Sequence, residues 1–297
     1  MTSSTVHERA RRADLLAPDT GMGAVTLRVA DLDAMTHYYR DAVTLSVLAA
    51  EAARTVLGRL GTPIVILEHA PELRQASARQ AGLFHTAILF ASEEDLATAV
   101  YAVASRHPQS FTGSADHLVS KAFYFDDPEG NGVELYWDRD RTQWSWTHGQ
   151  VEMASLGLNP NAFLGEHLSE TGLVSAPTRP ASVGHVHLSV GDTDTAKRFY
   201  ADQLGFEVTQ RFGSQAVFVS AGGYHHHMAM NTWHSRGAGR RQQTLGLGLV
   251  RIEVPSADDL AALDDRLGHH RIARRDDGRV LGFEDPWANR VEVTVKQ

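Results

Sequence analysis

Histidine is the residue type in this sequence with the greatest capacity for chemistry. The 297 residues include 16 histidines and no cysteine, so imidazole nitrogens and carboxylate oxygens would have to hold any metal ion. His85, His185 and His187 lie in strand-like runs, and three further histidines are consecutive at 225–227. Two imidazoles and one carboxylate on one face of a metal ion leave neighbouring positions open for substrate and oxygen. Secondary structure has to bring such groups to one point.

A pattern of strand, acidic turn and helix occurs four times along the chain. The four openings are AVTLRVADLDAM from Ala24, HTAILFASEEDL from His85, HVHLSVGDTDTA from His185 and LVRIEVPSADDL from Leu249. Each begins with alternating or apolar residues typical of a strand and ends with Asp, Ser or Thr where a helix N-cap is expected. Short strands separated by Gly, Asn and Pro turns follow, so each repeat predicts a βαβββ module.

The four modules predict an α+β fold with two cupped mixed-sheet domains. We expect an N-terminal tail over 1–20, a first domain over 21–146 with modules one and two, and a second domain over 183–297 with modules three and four. The stretch 147–182 contains Pro, Asn and Ser in a pattern typical of a linker, here with one short helix.

Composition argues against several classes of partner. The net charge of -8 argues against nucleic acid, because phosphate recognition needs a basic surface. No apolar run approaches the roughly 18–20 residues that span a bilayer, and the N-terminus lacks the apolar stretch of a secretory signal. We therefore expect a cytoplasmic protein that acts on a small molecule, without a membrane or nucleic-acid partner.

The chain from Gly23 to its end resembles the vicinal oxygen chelate superfamily, which includes glyoxalase, the fosfomycin and bleomycin resistance proteins and the type I extradiol dioxygenases. The run 115–134, ADHLVSKAFYFDDPEGNGVE, is similar to the extradiol dioxygenase signature, with one departure at Ala115. The matching residues are His117, Phe123, Tyr124, Asp127, Pro128, Gly130 and Glu134. The runs GLFHTAIL, GHVHLSV and GGYHHHMAMNTW are similar to those of two-domain bacterial catechol 2,3-dioxygenases.

The aligned openings favour one set of metal ligands. Modules two and three each carry a histidine at the aligned position, whereas modules one and four carry Ala24 and Leu249. We expect module two to pair with module three across the linker, and the site to consist of His85, His185 and Glu134.

Two alternatives to this ligand set stay open. The arrangement more usual in extradiol enzymes would use His185 and Glu292 in the last two modules, but Leu249 stands where its second imidazole is expected. His187 lies two residues after His185, on the same face of the strand, and could replace it as the ligand.

The resemblance also implies a reaction and roles for further residues. It implies cleavage of a catechol-like ring with O₂ at Fe(II), with Mn(II) as the alternative ion, in an enzyme that associates as a homo-oligomer. His117 and Tyr124 would act beside the substrate oxygens. One of the histidines at 225–227 would act beside the dioxygen; His226 matches the family pattern best and His227 is the second choice. Trp233 is the one tryptophan expected near this site.

Two other functions fit the same fold. A glyoxalase or an epoxide-opening resistance transferase would use similar ligands with Zn(II), Ni(II) or Mn(II), but would need neither His117 nor Tyr124. A metal-free binding protein on this fold would have no need for two imidazoles and a carboxylate. The sequence therefore favours the dioxygenase.

Overall fold

The computed structural model describes residues 14–175 and 178–296 of the chain. Its backbone contains the strand–helix–strand–strand–strand module four times. A two-residue strand, β1 (Gly21–Met22), precedes module one. Module one comprises β2 (Val25–Val29), α1 (Leu32–His37, continued by a π-helical turn, Tyr38–Ala42), β3 (Ser46–Glu51), β4 (Arg54–Arg59) and β5 (Thr62–His69). Module two comprises β6 (Gly82–Phe90), α2 (Glu93–Arg106, followed by a 3₁₀ turn, Pro108–Ser110), β7 (Phe111–Asp116), β8 (Ser120–Asp126) and β9 (Gly132–Asp138).

The second half of the chain repeats this order. The segment between the halves contains a 3₁₀ turn (Arg141–Gln143), β10 (Trp146–Thr147), β11 (Gln150–Val151), β12 (Leu156–Gly157), α3 (Pro160–His167) and α4 (Glu170–Ser175). Module three comprises β13 (Ala181–Ser189), α5 (Thr193–Lys197, continued by a π-helical turn, Arg198–Gln203), β14 (Glu207–Phe212), β15 (Ala216–Ser220) and β16 (Met228–Asn231). Module four comprises β17 (Gly246–Val254), α6 (Ala257–His269), β18 (Arg274–Asp276), β19 (Val280–Glu284) and β20 (Arg290–Val295).

The helices of all four modules begin at the predicted capping residues. Asp31, Ser92, Asp192 and Ser256 each have a side chain that accepts a hydrogen bond from the backbone N–H three residues later. The predicted helix starts are therefore confirmed. None of the helices in the described residues is long and apolar enough to cross a membrane.

Two large sheets each combine strands from both halves of the chain. The first, here called the 2–3 sheet, has the order β12-β7-β8-β9-β6-β13-β16-β15-β14. The second, the 1–4 sheet, has the order β18-β19-β20-β17-β2-β5-β4-β3, with β1 also paired to β17. The predicted pairing of module two with module three is thus confirmed. The limits 21–146 and 183–297 stay a prediction about sequence units, because neither half forms a sheet by itself.

The antiparallel pair β6 and β13 connects the two halves at the middle of the 2–3 sheet. In β6, Ile88 and Phe90 point into the main hydrophobic core, whereas His85 and Ala87 lie on the opposite face. This face of β6 carries the candidate site.

A buried tyrosine connects the two modules within each half. Tyr39 in the first π-helical turn donates a hydrogen bond to Asp127 Oδ2 at 3.0 Å, and Tyr200 in the second donates to Asp285 Oδ2 at 3.0 Å. The two carboxylates lie in equivalent turns, after β8 and after β19. The hydrogen bonds therefore join module one to module two and module three to module four.

The linker and the tail differ in detail from the prediction. The linker contains α3 and α4 rather than one short helix, because Leu168 leaves the helical conformation and Ser169 Oγ then accepts a hydrogen bond from Gly172 N. Residues 1–13 of the predicted tail lie outside the described residues. Of the rest, Leu16 is buried and its N–H donates to Gly205 O, so this part of the tail packs against module three.

Candidate metal centre

The middle of the 2–3 sheet brings together the three side chains predicted as metal ligands. Glu134 on β9 pairs with Ala87 on β6, and Ala87 pairs on its other side with His185 on β13. His85 precedes Ala87 by two residues and therefore projects from the same face of β6. The three side chains thus surround Ala87 on one face of three adjacent strands.

One oxygen of Glu134 approaches both imidazoles. Glu134 Oε2 lies 2.8 Å from His85 Nε2 and 3.1 Å from His185 Nε2. The three potential ligand atoms lie within 4.8 Å of one another, and all three residues are buried. We call His85, Glu134 and His185 the triad.

Burial and mutual contact determine the ionisation of the triad. Burial alone would raise the pKa of Glu134, but His185 and His85 hold that pKa well below its ordinary value. Burial lowers the pKa of His185 to about 4, in spite of the neighbouring carboxylate. At neutral pH, His185 is therefore a neutral imidazole beside an ionised carboxylate, which is the state that metal binding requires.

The triad fits a divalent metal ion. His85 Nε2 is buried and lies close to Glu134, yet it makes no hydrogen bond within the described part of the chain. Buried polar atoms are nearly always satisfied in folded proteins, and a metal ion would satisfy this nitrogen. Two nitrogens and one oxygen around one point are a donor set that Fe, Mn, Zn and Ni ions accept. The triad could therefore hold a metal ion.

His187, the alternative ligand, lies beside the triad rather than within it. It pairs directly with His85 across β6 and β13, and the two ring centroids are 4.9 Å apart. Its Nε2 accepts a hydrogen bond from Asn231 Nδ2 at 3.0 Å, and burial lowers its pKa well below the ordinary value. Nε2 of His187 is therefore already engaged by Asn231, whereas Nε2 of His185 lies 3.1 Å from Glu134 Oε2 within the triad.

The alternative site in modules three and four is not formed by the residues it would need. Glu292 lies in the 1–4 sheet, where Arg251 Nη2 donates a hydrogen bond to its Oε2 at 2.8 Å. His185 lies in the 2–3 sheet, so these two side chains belong to different sheets.

His117 and Tyr124 form a hydrogen-bonded pair next to the triad. Tyr124 on β8 pairs with Glu134 on β9, and its hydroxyl oxygen lies 2.7 Å from His117 Nε2. His117 Nδ1 lies 2.7 Å from the carbonyl oxygen of Ala154, which can only accept. The proton of neutral His117 is therefore on Nδ1, and Nε2 accepts from the Tyr124 hydroxyl. Burial, followed by the Glu134 charge, raises the pKa of Tyr124 well above its ordinary value, so this hydroxyl stays protonated.

The three consecutive histidines take three different environments. His226 lines the same cavity as the triad, and its ring centroid lies 4.1 Å from that of His185. His227, the second predicted choice, instead accepts a hydrogen bond from Ala221 N through Nδ1 at 3.2 Å. The rings of His225 and His227 both pack against Tyr224, with centroid distances of 4.1 and 4.8 Å, whereas His226 faces the cavity.

A chain of hydrogen bonds connects His226 to a carboxylate. His225 Nε2 lies 2.9 Å from Asp138 Oδ1, and His225 Nδ1 lies 2.8 Å from His226 Nδ1. Because the carboxylate accepts, His225 carries its proton on Nε2 and can only accept at Nδ1 while it is neutral. His226 must then donate from Nδ1, and its Nε2 keeps a free lone pair. Tyr224 fixes the far side of the carboxylate by donating to Asp138 Oδ2 at 2.7 Å.

Sequence reasoning missed Ala87 and Asp138. The two-residue period of a strand could have identified both. Ala87 lies two residues after His85, and Asp138 lies four residues after Glu134, so each shares a strand face with a predicted ligand. The site therefore contains a second carboxylate on β9, which is hydrogen-bonded to His225.

The triad opens into a cavity of about 990 Å³. His117, Tyr124 and His226 line it together with the triad, and so does Trp233, which was expected near the site. This volume lies near the upper end of the range of roughly 300–1,000 Å³ typical of small-molecule sites. Of the predicted site residues, all but His227 thus line one pocket that can admit a small organic molecule.

Paired βαβββ modules around a buried His–Glu–His group define the class of protein. The chain belongs to the Glyoxalase/Bleomycin resistance protein/Dioxygenase superfamily, whose sequence model matches residues 21–135 and 182–293. Among characterised relatives, the chain is 32% identical over 273 residues to the Catechol-2,3-dioxygenase of Bacillus subtilis (strain 168), covering 90% of this chain and 94% of that protein. The predicted family is therefore confirmed.

Solved structures agree on the fold. A proposed dioxygenase from Bacillus subtilis subsp. subtilis str. 168 superposes with a TM-score of 0.62 and 14% identity, over 93% of this chain and 84% of that chain. Glyoxalase I from Zea mays superposes with a TM-score of 0.54 and 14% identity, over 93% of this chain and 92% of that chain. At such low identity these likenesses extend to the fold alone.

Proposed function

We propose that the chain is an extradiol dioxygenase, which opens the ring of a catechol-like substrate at an Fe(II) ion held by His85, His185 and Glu134. The reaction breaks the ring carbon–carbon bond next to the diol, and both atoms of O₂ end in the ring-opened semialdehyde. Bound Fe(II) would supply chelation of the diol and electron transfer to dioxygen. Mn(II), which accepts the same donors, is the alternative ion.

The observation that carries this proposal is the His117–Tyr124 hydrogen bond of 2.7 Å beside the triad. A catechol has to lose a proton when its two oxygens bind a metal ion, and the proton needs an acceptor within hydrogen-bond reach. Tyr124 can donate a hydrogen bond to a substrate oxygen or receive its proton while it passes its own to His117 Nε2.

His226 would serve the oxygen side of the same cavity. Burial lowers its pKa well below the ordinary value, so its ring is neutral at physiological pH. The hydrogen bond with His225 leaves Nε2 of His226 with a lone pair that can take a proton during the reaction and return it. The substrate and oxygen sides would thus each have one histidine.

The test is anaerobic loading with Fe(II), followed by catechol and then air. A yellow ring-opened semialdehyde should form, and Glu134→Gln and His85→Ala should abolish it. His269→Ala replaces a histidine at the exposed end of α6 and should keep wild-type activity. Metal content of each variant, measured after loading, shows whether activity and metal binding are lost together.

Tyr124→Phe separates proton handling from metal binding. This variant should still bind the metal, since the phenol oxygen is not a ligand, but ring opening should slow by roughly 10²-fold. Activity with Ni(II) or Zn(II) only would point instead to a glyoxalase-type reaction. Full activity in Glu134→Gln would reject the proposed site.

A further inference from the structure

One side of the cavity beyond the triad is a continuous row of aromatic rings. We call it the aromatic wall, and its members are Phe84, His187, Phe212, Phe218 and Trp233. They come from β6, β13, β14, β15 and the segment after β16, so modules two and three both contribute.

The wall begins next to the triad. The ring centroid of His187 lies 4.9 Å from that of His85 and 4.9 Å from that of Phe84. Trp233 packs against both of these rings, with its ring centroid 5.1 Å from that of Phe84 and 5.4 Å from that of His187. A substituent that extends from the diol ring on this side would therefore contact aromatic rings directly beside the triad.

The wall continues outward to the mouth of the cavity. The ring of Phe218 lies 5.9 Å from His187 and 5.2 Å from Phe212. Phe212 and Trp233 are 40% and 44% exposed, which leaves two large aromatic side chains uncovered at the mouth. Clustered exposed aromatic surface at a cavity mouth is typical of a binding site for an apolar group.

Away from the triad, the described side chains that line the cavity offer no permanent positive charge. Of the described residues that line it, none is a lysine or arginine, whereas Glu134 and Asp126 are carboxylic acids. Asp126, at the end of β8, lies on the side of the cavity formed by module two. Along the aromatic wall, beyond a metal ion at the triad, an anionic substituent would lose its hydration without gaining a cationic side chain as partner, and burial of an unpaired charge is strongly unfavourable.

We propose that this cavity selects uncharged catechols with a bulky apolar ring substituent, above all a second aromatic ring, and rejects catechols that carry a carboxylate. The proposal rests on the proposed ring cleavage and specifies its substrate class. A single ring leaves most of the 990 Å³ cavity empty, whereas a second ring can stack on Phe84 and Trp233.

The first experiment compares three substrates with the iron-loaded enzyme: catechol, 2,3-dihydroxybiphenyl and 2,3-dihydroxybenzoate. We expect kcat/KM for dihydroxybiphenyl to exceed that for dihydroxybenzoate by at least about 10²-fold, because the carboxylate would be buried without a partner. An equal or higher kcat/KM for dihydroxybenzoate would overturn the proposal.

The second experiment assigns the selectivity to the wall. Trp233→Ala should lower the ratio of kcat/KM for dihydroxybiphenyl over catechol by about tenfold, since one stacking surface is lost. Trp146→Ala is the matched control, because Trp146 is 43% exposed and lies on β10, outside the cavity lining. An unchanged ratio in Trp233→Ala would contradict the role of the wall.

Calorimetric binding to the metal-free chain distinguishes the two proposals. If no substrate is cleaved, the proposed function fails, but dihydroxybiphenyl should still bind more tightly than dihydroxybenzoate, with Trp233→Ala reducing the difference. If substrates are cleaved but bind without this preference, the substrate class alone is wrong. Asp126→Lys should improve binding of dihydroxybenzoate, because it replaces a repelling charge with an attracting one.

Discussion

Ala87 lies directly opposite Glu134 in the parallel pairing of β6 and β9, and its methyl group is the side chain at the centre of the triad. On its other side Ala87 pairs with His185. Because the side chain between the three ligands is only a methyl group, the two imidazoles and the carboxylate can approach one another above it. The space for a metal ion therefore depends on a residue that is not itself a ligand.

Ala87→Leu should abolish metal binding while all three ligands stay in the chain. The larger side chain would occupy the space above the strand where the ligand atoms converge, and Ala87 is fully buried, so the extra atoms have no route to solvent. Metal content after loading measures the effect.

Ala87→Gly is the matched variant for this test, because it removes a methyl group instead of adding bulk. It should keep metal binding, with a loss of roughly 1 kcal/mol in the free energy of unfolding from glycine in a strand. Circular dichroism shows whether Ala87→Leu folds. A folded Ala87→Leu chain that binds metal like the wild type would refute the role given to this residue.

Metal binding should stabilise the folded chain through His185 and not through His187. Fe(II) at about 100 times its Kd, added without oxygen, should raise the free energy of unfolding by about 2.7 kcal/mol. His185→Ala should lose this increment. His187→Ala should retain most of it, because Asn231 already engages the His187 lone pair.

Chemical denaturation of each variant with and without the ion measures this increment. Each variant is compared with its own metal-free form, so a general loss of stability does not disturb the result. The reverse pattern, with the increment lost only in His187→Ala, would assign the ligand to His187.

The triad could be predicted from the sequence because it depends on short-range regularities. His85 and Glu134 lie on paired parallel strands of one module, and the period of two residues determines which side chains share a face. The capping residues and turns mark where each module begins. His185 required one further step, the pairing of module two with module three, which the two complementary histidines in the aligned openings indicated.

The orientation of the His run could not be predicted in the same way. Gly222 and Gly223 adopt left-handed φ values of 62° and 68°, so the chain turns just before the histidines, and β16 begins only at Met228. His225 is instead fixed by Asp138, which lies 87 residues earlier in the sequence. A contact between residues so far apart in the sequence leaves no local pattern, so only the folded chain reveals it.

Asp138→Asn should reverse the protonation of His226 without removing any group from the cavity. The Tyr224 hydroxyl donates to Oδ2 and favours the amide oxygen on that side, so the amide NH₂ would face His225. His225 Nε2 would then accept, its Nδ1 would donate, and His226 would carry its proton on Nε2 rather than Nδ1. The lone pair needed on the oxygen side would be lost, and kcat/KM should fall by roughly 10²-fold.

Nitrogen-15 NMR of the histidine side chains distinguishes this effect from simple structural damage, because it reports which ring nitrogen of His226 is protonated. Asp140→Asn, two residues along the chain, is the control and should change neither readout, because the Asp140 side chain accepts its hydrogen bonds from the neighbouring Thr142. Loss of activity in Asp138→Asn with an unchanged His226 tautomer would contradict the hydrogen-bond chain.

Asp127 should make the folded chain less stable as the pH rises from about 4 to about 6. Burial raises the pKa of Asp127 from 3.8 to about 6, although hydrogen bonds from Asn131 and Tyr39 oppose this. In this window the folded chain holds a proton that the unfolded chain has already released, so stability falls by roughly 3 kcal/mol across it. Asp127→Asn has no proton to lose, and urea denaturation of the metal-free chain should show a smaller fall in the free energy of unfolding.

Tyr39→Phe removes a donor to the ionised carboxylate, which raises the Asp127 pKa further and extends the fall in stability above pH 6. Parallel stability curves for wild type and Asp127→Asn between pH 4 and 6 would show that this carboxyl does not titrate there. A shift of the Tyr39→Phe curve to lower pH would contradict the conclusion that the Tyr39 hydrogen bond lowers the Asp127 pKa.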